Sequence, residues 1–159
     1  RWSKQRMRIK KLPQNIDYKE GQEMTSLKSK IFLDLNYFND SLNVYSVALF
    51  DSHESYYHYK IDTTALCFIN MYFDLVEISR RNFERTLKGK NLSKDIVYSE
   101  YEKSNKRLEE RSYLFFEEVE HGTNAIGMRK WNKEIVEKLN VDNLNIYRLY
   151  HTGEKDKTN

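Results

Sequence analysis

Between residues 61 and 88 the chain carries two apolar stripes along the same stretch. Leu66, Ile69, Phe73, Val76, Phe83 and Leu87 form one, and Ile61, Ala65, Phe68, Met71, Leu75 and Ile78 the other. Steps of three and four residues mark the faces of an α-helix, and two such faces leave little circumference for water. A helix of this kind belongs in the middle of a bundle. What remains polar is a narrow strip of Asn70, Asp74, Glu77 and Arg81. Glu77 and Arg81 stand four apart in the favourable order for a helix-surface ion pair. Turned inward, the same strip is a desolvated polar network and a candidate ligand pocket.

The flanking segments read as helices too. Met24, Leu27, Ile31, Leu35, Phe38, Leu42, Tyr45 and Leu49 recur at steps of three or four with no Gly or Pro between them. That spacing predicts one helix over 22–50, about 40 Å long at 1.5 Å per residue. Residues 51–59 (DSHESYYHY) then form a polar, aromatic connection. Gly89 is a C′ stop and Ser93 an N-cap for a helix over 94–121, with Val97, Tyr101, Leu108, Phe115 and Val119 on one side. His121–Gly122 ends it. Thr123 or Asn124 caps a fourth helix, where Met128, Trp131, Ile135 and Leu139 share a face, and Asp142 starts a short element through Tyr150 that also fits a strand. One Pro and five Gly leave few tight turns, which argues against sandwiches and barrels. The expected fold is all-α: an up-down bundle of four long helices with a short fifth C-terminal element. The expected organisation is a basic flexible arm over 1–15, a single helical domain over 16–151 and a disordered tail over 152–159.

Charge is unevenly placed. The first eleven residues hold Arg1, Lys4, Arg6, Arg8, Lys10 and Lys11 without an acid, while the other 148 residues hold 21 bases and 24 acids. Pro13 separates the arm from the mildly acidic body. Trp2 among these cations suits a chain leaving a membrane on its cytoplasmic side, and a start without Met suits a fragment with an anchor upstream. The alternative is salt-sensitive phosphate contact with nucleic acid, and the third reading is a solubilised terminus. No apolar run approaches the roughly 18 residues of a membrane span, and no signal-peptide pattern is present.

Chemistry is sparse. Cys67 is the only cysteine, which excludes an intramolecular disulfide and a cysteine zinc cluster, and its apolar setting reads as inert packing. His53 and His58 lie five apart, whereas a zincin helix needs four, so they read as a solvated loop pair. Glu118 and His121 give one Glu-x-x-His step where a di-iron bundle needs two. Glu117/Glu120 and Glu134/Glu137 repeat a Glu-x-x-Glu step on successive helices, able in principle to hold Mg²⁺. That spacing resembles the paired acidic steps of the MazG-like all-α nucleotide pyrophosphohydrolases. The second pair ends in Glu rather than the usual Asp, and Lys133 and Lys138 crowd it. No nucleophile elbow, Walker loop, dinucleotide fingerprint or His-Asp pair occurs, and Arg148 and His151 are too close for a helical ribonuclease step. Twelve Tyr and eight Phe exceed what a bundle core needs, with clusters at Tyr56, Tyr57 and Tyr59 and at Tyr147 and Tyr150. The sequence therefore points to a binder rather than an enzyme, with no cofactor implied. The expectation is a non-catalytic interaction or regulatory module, the cytoplasmic soluble domain of a membrane-associated protein. It would meet a protein partner through Tyr56, Tyr57 and Tyr59, and an anionic membrane or nucleic acid through the arm.

Overall fold

The computed structural model describes residues 1–9 and 25–149. Lys10, Lys11, the Pro13 break, Met24, Tyr150, His151 and the 152–159 tail lie outside those residues. The order of elements is β1 (Thr25–Phe38), β2 (Ser41–Tyr57), α1 (Thr63–Leu87), α2 (Lys94–Val119), a 3-10 turn (Glu120–Gly122), α3 (Ala125–Leu139) and α4 (Asn143–Ile146).

The fold is mixed α/β, and the all-α bundle is corrected at 22–50. There the chain forms an antiparallel two-stranded hairpin instead of one long helix. The stripe of threes and fours was real but incomplete. Leu27, Ile31, Leu33 and Leu35 on β1, and Leu42, Val44, Ala48 and Phe50 on β2, also fall at steps of two, and these positions turn inward. Ile31 and Ala48 pair directly and are both fully buried. Period two wins because Lys28, Lys30, Asp34 and Asn36 alternate with the inward residues of β1, as a half-buried strand requires, while Phe32, Val44, Tyr45 and Val47 suit a pleated surface better than a helix. The turn needs no glycine. Asn39 and Asp40 both take positive φ, 48° and 60°, and Asn and Asp tolerate that region better than other non-glycine residues.

The 51–59 connection is mostly strand as well. Between the pairs Lys28↔Asp51 and Ser26↔Tyr56, β2 holds four residues where β1 holds one. Asp51 closes this wide bulge by accepting the His53 and Glu54 amides at 3.0 and 3.1 Å, which holds its carboxyl below the usual range. Ser55 Oγ accepts the Lys28 amide at 2.8 Å, and β2 then resumes with Tyr56 and Tyr57. A bulge bends its strand and re-aims the side chains that follow.

The remaining helices start and stop where their caps lie. Asp62, Ser93, Asn124 and Asp142 each accept a first-turn amide of the helix they precede. Helix α1 is buried along most of its length and packs against the hairpin, α2, α3 and α4. At its centre Phe68 stacks on Phe115 at 5.5 Å, and Trp131 meets Phe115 edge-on at 5.6 Å. A second cluster of Phe83, Leu87 and Val97 sits under the hairpin end formed by Leu33, Leu35, Leu42 and Val44. Among the described residues, no helix is long and apolar enough to cross a membrane.

Candidate functional site

Two places concentrate polar groups. The first is the strip on α1, where Asn70, Asp74 and Glu77 are 1%, 0% and 3% exposed. The N-terminal segment fills the space above it. The Trp2 amide donates to Ala48 O at 3.0 Å, on the edge of β2. The Trp2 indole donates to Asp74 Oδ1 at 2.6 Å, and Arg6 Nη1 donates to both Asp74 oxygens at 2.8 Å. From α4, Asn143 Nδ2 donates to Asp74 Oδ2 at 2.7 Å. Burial pushes the Asp74 carboxyl up, while Arg6, Asn143 and Trp2 favour its charged form. Asn70 accepts the Met7 amide at 2.8 Å and donates to Tyr147 Oη at 2.8 Å.

One turn further along α1, Glu77 accepts from Arg80 and Arg81 at 2.7 and 2.8 Å. Burial opposes the charge on Glu77, but the two arginines outweigh it and hold its carboxyl below the usual range. Arg81 also lies over the Trp2 ring at 5.2 Å. The Glu77–Arg81 pair anticipated from spacing exists, and the strip around it is covered by the chain's own first residues. Buried polar groups that are all hydrogen-bonded fix one arrangement of the elements they join. This network ties the N-terminus to α4 across α1.

The second place is a cleft of about 650 Å³ where the end of β2 meets the α2–α3 corner. Tyr57 and Tyr59 line it with Lys60, Asp62, Glu120 and His121. Their two rings meet edge-on at 5.6 Å. Tyr57 is 6% exposed and its hydroxyl is pushed up to about 12 by burial, helped by Asp62 and Tyr59, so it stays protonated. Tyr59 is 45% exposed and its ring lies 5.6 Å from that of His121. Tyr56 points to the other face of the strand, as the alternation of β2 requires, and its ring meets His58 at 5.3 Å.

The backbone at this corner is unusual. Helix α2 stops at Val119, and three consecutive residues then take positive φ: Glu120 at 46°, His121 at 58° and Gly122 at 94°. Gly122 accepts this cheaply, whereas Glu120 and His121 each store about 1 to 2 kcal/mol. The turn needs Gly122 for a second reason, since a Cβ there would meet Thr64 Cγ2 at 3.1 Å and Phe68 Cβ at 3.2 Å. The result projects His121 between two hollows. Its Nδ1 lies 3.3 Å from Thr25 Oγ1, and beyond it is a second cavity of about 410 Å³ lined by Lys28, Tyr113, Phe116 and Glu117.

The remaining candidates are dispersed. Glu117 and Glu120 sit at the end of α2, while Glu134 is held by Arg111 at 2.9 Å from each carboxylate oxygen. Glu137 is exposed on α3. Glu118 accepts from Lys130 at 2.6 Å and from Trp131 Nε1 at 2.7 Å, joining α2 to α3 rather than serving His121. Among the described residues, no group of three or more His, Cys, Asp or Glu side chains is placed to hold a metal ion. The Cys67 thiol is buried and pushed up to about 12 by desolvation, with Asp74 adding to it. Arg1, Lys4 and Arg8 are exposed, whereas Trp2 and Arg6 are engaged below the surface. The sequence singles out Tyr56, Tyr57 and Tyr59 as one cluster, and weighs Glu120 only as half of a Glu-x-x-Glu step and His121 only as a Glu-x-x-His ligand or a helix end; it does not join them to the tyrosines. The available signal was the junction itself, where a polar helix end and a capped helix start are separated by only a few residues. The chain matches no protein-family model, no curated protein and no solved structure.

Proposed function

We propose that this chain is a non-catalytic interaction module of the cytoplasm, regulatory in role, that receives a segment of a partner protein in the Tyr57–Tyr59–His121 cleft. The observation that carries this reading is the left-handed Glu120–His121 pair, which spends conformational energy to project an imidazole into a tyrosine-lined hollow. Strain of that kind clusters at ligand clamps and active sites. Tyrosine supplies large contact area at low entropic cost. Lys60 on the rim is outnumbered by Asp62 and Glu120, so the occupant that fits has an aromatic or aliphatic anchor beside a Lys or Arg. Selection from a displayed random-peptide library tests the reading. Enriched peptides should carry that pairing and should bind Tyr59→Ser and His121→Ala at least about tenfold more weakly. Equal binding to both variants, or no enrichment, contradicts it.

The membrane-proximal part of the proposal rests on a different observation. Residues 1–9 hold no acid and present Arg1, Lys4 and Arg8 outward, while the Trp2 indole is committed to Asp74. Attraction to an anionic leaflet would then be electrostatic, about 1 kcal/mol per cation near the surface, and lost at high salt. Co-sedimentation with phosphatidylserine vesicles should exceed that with phosphatidylcholine and should fall when the three cations become Ser. Equal affinity for both vesicles removes the membrane. Duplex DNA binding without lipid preference would transfer the arm to nucleic acid.

A further inference from the structure

The hairpin has one face on the core and one face open. On the open face, cross-strand rows run Lys30 beside Leu49, Phe32 beside Val47, and Asp34 beside Tyr45. Phe32 and Tyr45 remain 44% and 47% exposed, and Val47 and Leu49 are half-buried. Lys30 and Asp34 make no ion pair among the described residues. The pattern is an apolar centre with a cation on one side and an anion at the same distance on the other, along a single strand.

We propose that this face is where two copies of the chain associate, sheet on sheet, across a two-fold axis in the sheet plane at right angles to the strands. The axis passes through the Phe32–Val47 row. It lays β1 over β1 of the second copy in the opposite direction, so Lys30 faces Asp34 twice, Leu49 faces Tyr45 twice, and Phe32 and Val47 meet their own counterparts. The other two-fold compatible with stacked sheets runs along the strands. That one sets Lys30 over Leu49 and Asp34 over Tyr45 and leaves all four charges unpaired, so charge complementarity selects the first. Isologous contacts of this kind are the commonest in soluble oligomers, and aligned sheets stack about 10 Å apart, within reach of a lysine.

Sedimentation equilibrium of the full chain over about a hundredfold range of concentration tests the pairing. Wild type should be dimeric at the upper end. Lys30→Asp and Asp34→Lys should each weaken association at least about tenfold, since each sets like charges opposite one another twice. An equimolar mixture of these two variants should dimerise as wild type does, because every reversed charge again faces its opposite. Phe32→Lys should be monomeric. Both charge positions are exposed, so unchanged circular dichroism and melting are expected and checked. A wild type that stays monomeric throughout overturns the proposal. So do charge variants that dimerise like wild type, or a mixture that fails to recover.

Discussion

Asp74 is the residue on which the most chain depends. Three donors converge on a carboxylate with no exposure, and all three come from residues more than 65 positions away in sequence. Removing Arg6 would leave that charge buried without its counter-ion, a loss of about 3 kcal/mol or more. Arg6→Ala should therefore lower stability in urea far more than Lys4→Ala, whose side chain is exposed. Equal effects of the two would mean that the N-terminal segment is not docked as described. Glu77 gives the pH dependence. Its carboxyl is held low in the folded state, so its contribution is complete above the unfolded value, about 4.3, and is lost as pH falls through the folded value. Glu77→Gln should be less stable at pH 7 and should show a shallower decline in melting temperature on acidification. At the cleft, Glu120→Gly relieves left-handed strain. It should raise stability by about 0.5 to 1 kcal/mol, part of the gain being lost to unfolded-state entropy.

At the scale of elements, helices were legible and the hairpin was not. Stripes predicted α1, α2 and α3, and Ser93 and Asp142 cap helices as their side-chain chemistry suggests. Over 22–50 a step of four is also twice a step of two, so Leu27, Ile31 and Leu35 satisfy both periods. The deciding signals were the residues between them and the Asn39–Asp40 pair, which does at a hairpin turn what glycine does elsewhere. Asp40→Gly should therefore stabilise the hairpin by about 0.5 to 1 kcal/mol, measured by thermal melting. A destabilised variant would argue against the turn. The polar strip stayed ambiguous for a different reason. Periodicity reports which residues share a face, and the partner that covers this one lies in the first nine residues. Gly127 is a further element-level constraint that no pattern revealed. A Cβ there would fall 1.9 Å from Glu118 O, because α3 starts against the end of α2. Gly127→Ala should lower stability by about 2 kcal/mol or more, through overpacking against backbone.

For the whole molecule, α1 is the axis and everything else is arranged around it. The hairpin, α2 and α3 cover its apolar faces, and the N-terminal segment with α4 covers its polar strip. That division leaves the corner after α2 to carry strain, since the rigid elements on either side hold Glu120 and His121 in place. The cleft there is built from two stretches far apart in sequence, the β2–α1 junction over 57–65 and the α2–α3 turn over 120–123. Its tyrosines were visible as composition, but their meeting with His121 depends on the bulge at 52–55 and on Gly122. The most direct test is a two-dimensional ¹H–¹⁵N titration of the chain with a selected peptide bearing an apolar anchor and a neighbouring cation. Shifts confined to Thr25, to residues 57–65 and to residues 117–123 are the predicted result. Shifts centred on the open face of the hairpin or on the docked N-terminal segment, with the cleft unmoved, would contradict the proposed site.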